Sequence, residues 1–170
     1  LEPLETEIIR ESVEDGIVLR HVRYVVGTFD GKKTRVAAFF AFPKGAKKLP
    51  GIVQLHGGGQ RARRETARFW ALSGYAAITV NWGEHVIGKP DDPNTDWKGI
   101  PAGFLDPKHH NGVEPGPGTI HQTPHPWNSS WLLYAVAARR AITFLEQQPE
   151  ADGSKVGITG HSMGGRLTVL

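Results

Sequence analysis

The 170-residue chain contains no cysteine and a single methionine. Without cysteine there are no disulfides, no thiolate metal sites and no cysteine nucleophile. No run approaches the roughly 18 uncharged apolar residues of a membrane-spanning helix. Charge of one sign is also lacking: 20 Lys and Arg face 17 Asp and Glu, a formal charge of only +3. No basic run with interleaved aromatics appears, so neither a nucleic acid nor a membrane partner is expected. Apolar residues make up 39% of the chain, enough for a folded core, and the length suits one domain. Glycine and proline, at 21 and 12, are plentiful, and their placement is informative. There is no internal repeat.

Residues 1–15 are polar and mixed, and no element is predicted there. Ile17 to Val26 is β-branched and partly alternating, which predicts a strand. Asp30-Gly31 is a hairpin turn pair, and Thr34 to Phe42, ended by Pro43, predicts the returning strand. Gly51-Ile52-Val53-Gln54-Leu55 reads as a buried strand that stops at His56-Gly57-Gly58-Gly59. A helix is predicted over 62–73, with Gly74 as its C-terminal glycine, and then a buried strand over 75–80. Residues 83–126 hold eight of the twelve prolines and five of the eight histidines, a long loop with little periodicity. Asn128 or Ser129 is placed to cap a helix over about 130–147, with Trp131, Ala135, Ala138, Ile142 and Leu145 on one face. A third buried strand, 155–159, runs into Gly160-His161-Ser162-Met163-Gly164-Gly165, and a helix is predicted from Met163. Strands alternating with helices imply a mainly parallel sheet, preceded by an antiparallel hairpin and covered on both faces.

Gly160-His161-Ser162-Met163-Gly164 fits G-x-S-x-G, the nucleophile-elbow pattern. Serine is a weak nucleophile unless its oxygen is lifted clear of the sheet toward a base. A tight strand-to-helix turn lifts it, and the neighbours two residues away on either side must then be tiny. The following helix aims its first amides at the site, where they favour a developing negative charge. His56-Gly57-Gly58-Gly59 ends the neighbouring strand. Its N–H groups can approach a carbonyl oxygen without side-chain obstruction, so Met163 with Gly58, or with Gly59, would form an oxyanion hole. An ordinary glycine-rich turn is the simpler alternative at both places. A phosphate loop is disfavoured, because neither G-x-G-x-x-G nor G-K-[ST] is present.

The remaining candidates divide between chemistry and structure. His56 is expected to brace the loop rather than act as a base. His161 either lines the pocket or packs. The loop histidines His85, His109, His110, His121 and His125 raise the question of a metal. The four-residue spacing of His121 and His125 needs a helix to bind zinc, and Pro124 and Pro126 oppose one. No metal or cofactor is therefore expected. Trp82, Trp97 and Trp127 border or occupy the loop; they could stack on sugar faces or form its own small core. Arg61, Arg63, Arg64 and Arg68 follow the glycine loop and read as a solvated helix face rather than an anion site.

On these motifs, and on Ser73-Gly74-Tyr75-Ala76-Ala77-Ile78 and Arg140-Ala141-Ile142-Thr143-Phe144-Leu145, nearly the whole chain resembles the α/β-hydrolase fold family. Within it the chain is most similar to the acetylxylan esterase and dienelactone hydrolase-like branch, and has stretches like the prolyl oligopeptidase catalytic domain. The resemblance implies Ser162 as nucleophile and Met163 with Gly58 or Gly59 as oxyanion hole. Independently of the resemblance, His161, Trp82 and Trp127 are the candidate contacts for a small-molecule or carbohydrate ester. Dienelactone hydrolases proper carry cysteine at the elbow, so Ser162 argues against that activity. The family's triad order is serine, acid, histidine. No acid or histidine follows Ser162 here, so residues 1–170 are expected to be the N-terminal portion of one domain whose acid and base lie downstream. The expected activity is a serine carboxylic-ester hydrolase, with a peptidase or amidase of the same fold, or a non-catalytic binding module, as alternatives. Export fits a carbohydrate esterase by analogy alone.

Overall fold

The computed structural model describes residues 2–29, 31–83, 85–97 and 130–170. Among them, six strands form one sheet in the order β1-β2-β3-β5-β4-β6. β1 (Glu7–Glu14), β2 (Ile17–Phe29) and β3 (Lys32–Pro43) are joined as antiparallel hairpins. β3 pairs antiparallel with β5 (Ala76–Asn81). β4 (Leu49–Leu55) runs parallel to β5 on one side and to β6 (Ala151–Gly160) on the other. The helices are α1 (Arg64–Leu72), α2 (Ser130–Glu146) and α3 (Met163–Leu167).

The side-chain period of two sorts β2 and β3 onto both faces of the sheet. Val18, Val22 and Tyr24 of β2 join Val36, Ala38 and Phe40 of β3 in the larger core, which α2 covers with Tyr134, Ala138 and Phe144. Ile17 and Leu19 join Ala37, Phe39 and Ala41 in the smaller core, which α1 covers with Ala67 and Ala71. Every residue of β5 is buried, as befits a strand covered on both faces. Gly74 ends α1 at φ +89°, the left-handed conformation that a residue with a Cβ adopts only with strain, and its N–H donates to Ala71 O at 3.0 Å.

The structure differs from expectation in three places. β1 forms where no element was predicted. Asp15 (φ 48°) and Gly16 (φ 76°) turn it into β2, so the Asp-Gly pair at 15–16 is a second hairpin signal in the sequence. With β1 present and β3 beside β5, the sheet is mixed rather than mainly parallel. β6 was expected to be buried, yet Ser154, Lys155 and Gly157 are exposed and Val156 and Ile158 only half-buried. Among the described residues it lies at the edge of the sheet and pairs only with β4.

Residues 85–97, the described start of the long loop, are tied down rather than loose. Thr95 Oγ1 donates to Asn81 O at 2.6 Å and accepts from Ala37 N at 3.0 Å. Arg35 and Asp96 exchange backbone hydrogen bonds, and Trp97 is buried against Tyr134, ring centroids 5.6 Å apart.

Candidate active site

β4 and β6 run parallel in register, Val53 beside Ile158 and Leu55 beside Gly160, so their C-terminal ends deliver two loops to one edge of the sheet. His161 N donates across to Leu55 O at 3.3 Å, and the chain then turns sharply at Ser162. Ser162 has φ 53° and ψ −113°, a conformation L-residues rarely occupy, and it is exposed. Such a backbone costs about 1–3 kcal/mol and persists only where its surroundings enforce it. Here glycines remove the obstacles. A Cβ on Gly160 would lie 2.2 Å from Gly164 C. One on Gly164 would lie 2.3 Å from Leu55 O and 2.6 Å from His56 O. Any side chain at these two positions would push the turn off the end of β4. α3 begins at Met163, directly behind the serine.

The glycine loop lies against this turn. A Cβ on Gly57 would meet His161 Cδ2 at 3.3 Å, and one on Gly58 would fall 1.9 Å from Met163 Sδ. Gly58 thus seats the Met163 side chain. Gly59 (φ +66°) faces open space. Among the described residues, the N–H groups of Gly58, Gly59 and Met163 have no hydrogen-bond acceptor, and nothing bonds Ser162 Oγ. Donors without partners beside an exposed hydroxyl are what an oxyanion hole requires of the free protein.

His56 is a brace. Its Nδ1–H donates to the Gly57 carbonyl at 2.8 Å, which fixes the proton on that nitrogen. The ring stacks on Trp82, centroids 4.5 Å apart and 8° from parallel. Burial pushes its pKa down to about 4, so the imidazole is neutral at physiological pH. Trp82 is 2% exposed; its Nε1–H donates to His56 O at 3.1 Å and its ring packs against Tyr134. The sugar-stacking role considered for Trp82 is therefore corrected to a core one, since its faces are covered by His56 and Tyr134. His161 is exposed beside Gly57, at the mouth of the turn. Trp127 lies outside the described residues, as do His109, His110, His121 and His125 and the cap positions Asn128 and Ser129. No group of three or more potential metal ligands occurs among the described residues.

Two supports were missed in the sequence. Gln60 Oε1 accepts from Gly57 N at 3.2 Å while Gln60 N donates to Gly57 O at 3.2 Å, closing the loop on itself. Asn81, fully buried, accepts from Ala62 N at 3.1 Å and donates to His85 O at 2.7 Å, tying the start of α1 to the long loop. A lone amide ending the apolar run Ile78-Thr79-Val80 was the available signal, because a buried amide demands partners.

Residues 10–170 match the family model described as acetyl xylan esterase (AXE1). No curated protein gives a match. Among solved structures, the chain is similar to acetyl xylan esterase 1 from Thermoanaerobacterium sp. JW/SL YS485, with 17% identity and a TM-score of 0.68 over 99% of this chain and 48% of that one. It is similar to the acetyl xylan esterase from Paenibacillus sp. R4, with 20% identity and a TM-score of 0.63 over 98% and 48% of the two chains. A glucuronoyl esterase from Solibacter usitatus superposes with 18% identity and a TM-score of 0.57 over 98% and 47%. The chain spans about half the length of each. These likenesses establish the α/β-hydrolase fold, and the family match over residues 10–170 establishes that the chain belongs to the acetyl xylan esterase (AXE1) family.

Proposed function

We propose that the protein is a serine carboxylic-ester hydrolase that removes acyl groups, acetyl foremost, from carbohydrate. The observation that carries the reading is Ser162, a non-glycine residue at φ 53° on a strand-to-helix turn that glycines alone make possible. Ser162 Oγ attacks the ester carbonyl carbon as a base takes its proton. The carbonyl oxygen becomes an oxyanion and accepts hydrogen bonds from the N–H of Met163 and of Gly58, with Gly59 as the alternative donor. Collapse of the tetrahedral intermediate expels the alcohol, which takes the proton back. Water then attacks the acyl-serine and frees the acid. His56 is a poor candidate for the base: its basic nitrogen, Nε2, is buried without a hydrogen-bond partner among the described residues, the ring is stacked under Trp82, and burial pushes its pKa down to about 4. The order of the family triad puts the acid and the histidine after Ser162, with residues 1–170 as the N-terminal portion of a single domain. His161 and Trp127 are the candidate substrate contacts. The names of the similar structures, two acetyl xylan esterases and a glucuronoyl esterase, favour a carbohydrate ester.

The test is a fluorophosphonate probe followed by intact mass, with Ser162→Ala as control. One adduct that the variant loses, together with hydrolysis of p-nitrophenyl acetate, is the expected result. Cleavage of a proline anilide in preference to the acetate would move the reading to a peptidase. No adduct and no hydrolysis would overturn it in favour of a binding module.

A further inference from the structure

On the α1 face of the sheet, away from the elbow, lies a cleft of about 490 Å³. None of its lining residues belongs to the glycine loop 57–59 or to 160–165. Leu19, His21 and Phe39 of β2 and β3 form its floor, and Ile87 adds to the apolar wall. Its volume falls within the roughly 300–1,000 Å³ typical of small-molecule sites.

The rim is cationic. Arg61, Arg63, Arg64, Lys89 and Arg10 line it, against the carboxylates Glu65 and Asp92. Two of these cations are already matched: Arg10 pairs with Asp92 at 2.6 Å, and Arg64 pairs with Glu14. Arg61 donates only to a carbonyl, Val86 O at 3.3 Å, and keeps its charge unanswered. Arg63 and Lys89 have no ion-pair partner among the described residues. The first turn of α1 opens here as well. Its N-cap is Arg63, extended at φ −124°, with no side-chain cap bond, so the leading amides of a nine-residue helix face this rim uncapped.

A second and independent observation is the polar group in the floor. His21 is 2% exposed, and neither ring nitrogen has a hydrogen-bond partner among the described residues. Nδ1 stands 3.6 Å from Asp92 Oδ2, within ion-pair range but too far for a hydrogen bond, and Nε2 has no hydrogen-bond partner among the described residues. Buried imidazole nitrogens are rarely left unsatisfied without a reason. Gly88, at φ +74°, packs against the ring so closely that a Cβ there would fall 2.7 Å from Nδ1.

An apolar floor with one unsatisfied polar group, ringed by unpaired arginines and free helix amides, is complementary to one class of ligand. We propose that this cleft binds a small organic anion, its carboxylate or phosphate held by Arg61, Arg63 and the first amides of α1, its body resting on Leu19, His21 and Phe39. Arginine provides the planar fork that fits either oxyanion. The site is separate from ester hydrolysis and does not depend on that reading, because binding is measured without turnover.

The test is isothermal titration calorimetry of the protein with benzoate and with its neutral analogue benzamide. Benzoate is expected to saturate, and benzamide to bind at least about tenfold more weakly, since only the anion uses the arginines. Arg61→Gln with Arg63→Gln is expected to weaken benzoate by about a hundredfold. Both side chains are exposed, so the variant should keep its circular dichroism spectrum. Should it not, Arg61→Gln alone carries the same expectation at about tenfold. Benzamide binding as tightly as benzoate, benzoate binding that ignores the arginine substitutions, or no saturable binding would each overturn the proposal.

Discussion

Of the four non-glycine residues at positive φ among the described residues, Asp15 and Ser162 each sit in a turn that ends a strand, and they do so by different physics. Between β1 and β2, Asp15 (φ 48°) and Gly16 (φ 76°) form a two-residue hairpin turn, and a Cβ on Gly16 would have nothing within 4 Å. That turn is local: the sign of the dihedral matters, and space does not. Between β6 and α3, Ser162 (φ 53°) is flanked by Gly160 and Gly164, neither of which has a positive φ. Those glycines are there because backbone from β4, β6 and α3 converges within van der Waals distance. The second turn is tertiary, and it is the one that holds the candidate nucleophile. A turn built locally can be repaired locally, whereas one built from converging backbones cannot.

The largest effect that sharpens this contrast is expected from Gly164→Ala. The added methyl would meet two carbonyl oxygens, Leu55 O and His56 O, which cannot rotate away. A loss of about 3 kcal/mol or more in urea denaturation is expected, together with loss of the fluorophosphonate adduct. A cost below about 1 kcal/mol would erase the distinction between the two turns.

Next in size is a pH effect centred on the β4 side. His56 has its pKa lowered by burial from 6.5 to about 4, so the unfolded chain binds its proton more readily than the folded one. The stability this supplies is complete above pH 6.5 and is lost as pH falls toward 4, by about 3 kcal/mol at pH 4. His21, lowered by burial as well, adds a slope of the same sign. His56→Gln should flatten the wild-type curve of unfolding free energy against pH over this window but not abolish its slope. Parallel curves would show that His56 is no more buried in solution than in the unfolded chain.

Gly16→Ala is expected to cost about 1–2 kcal/mol, less than Gly164→Ala, and to leave the adduct at Ser162 intact. A smaller effect isolates the strain at Ser162. Ser162→Gly and Ser162→Ala both remove the hydroxyl, yet only glycine relieves the positive φ. The glycine variant is expected to be more stable than the alanine variant by about 1 kcal/mol in thermal denaturation.

How far the sequence disclosed all this depends on which range of contact built each feature. β2, β3, β4, β5, α1 and α2 were legible because their signals are local: alternation, an Asp-Gly turn, a helix-ending Gly74 and a strand-ending Pro43. The elbow was legible because its geometry leaves a fixed glycine spacing in the chain. β1 was missed because two of its three apolar side chains, Ile8 and Val13, are at least half exposed at the sheet margin and show little contrast with their neighbours. The half-exposure of β6 was missed because burial of a strand depends on what lies beside it, which Val156-Gly157-Ile158 does not encode. Trp82 could be placed near the site from its position after β5, but only the stack on His56 decided its role. Gln60 and Asn81 act through partners that no spacing rule reveals.

The contact between Gly164 and the carbonyls of Leu55 and His56 also bears on how this protein could be re-engineered. It fuses the ends of β4 and β6 into one rigid unit, so no substitution at 160 or 164 can reshape the pocket gradually. Gly58 is more forgiving in one respect, since what a side chain there would strike is the mobile end of Met163. Gly59 and Arg61 face outward and can change without disturbing that unit. A designer seeking a new acyl or alcohol preference should therefore leave the fused core alone and work from its outer margin: Gly59 and His161, with Gly58 and Met163 altered only as a pair.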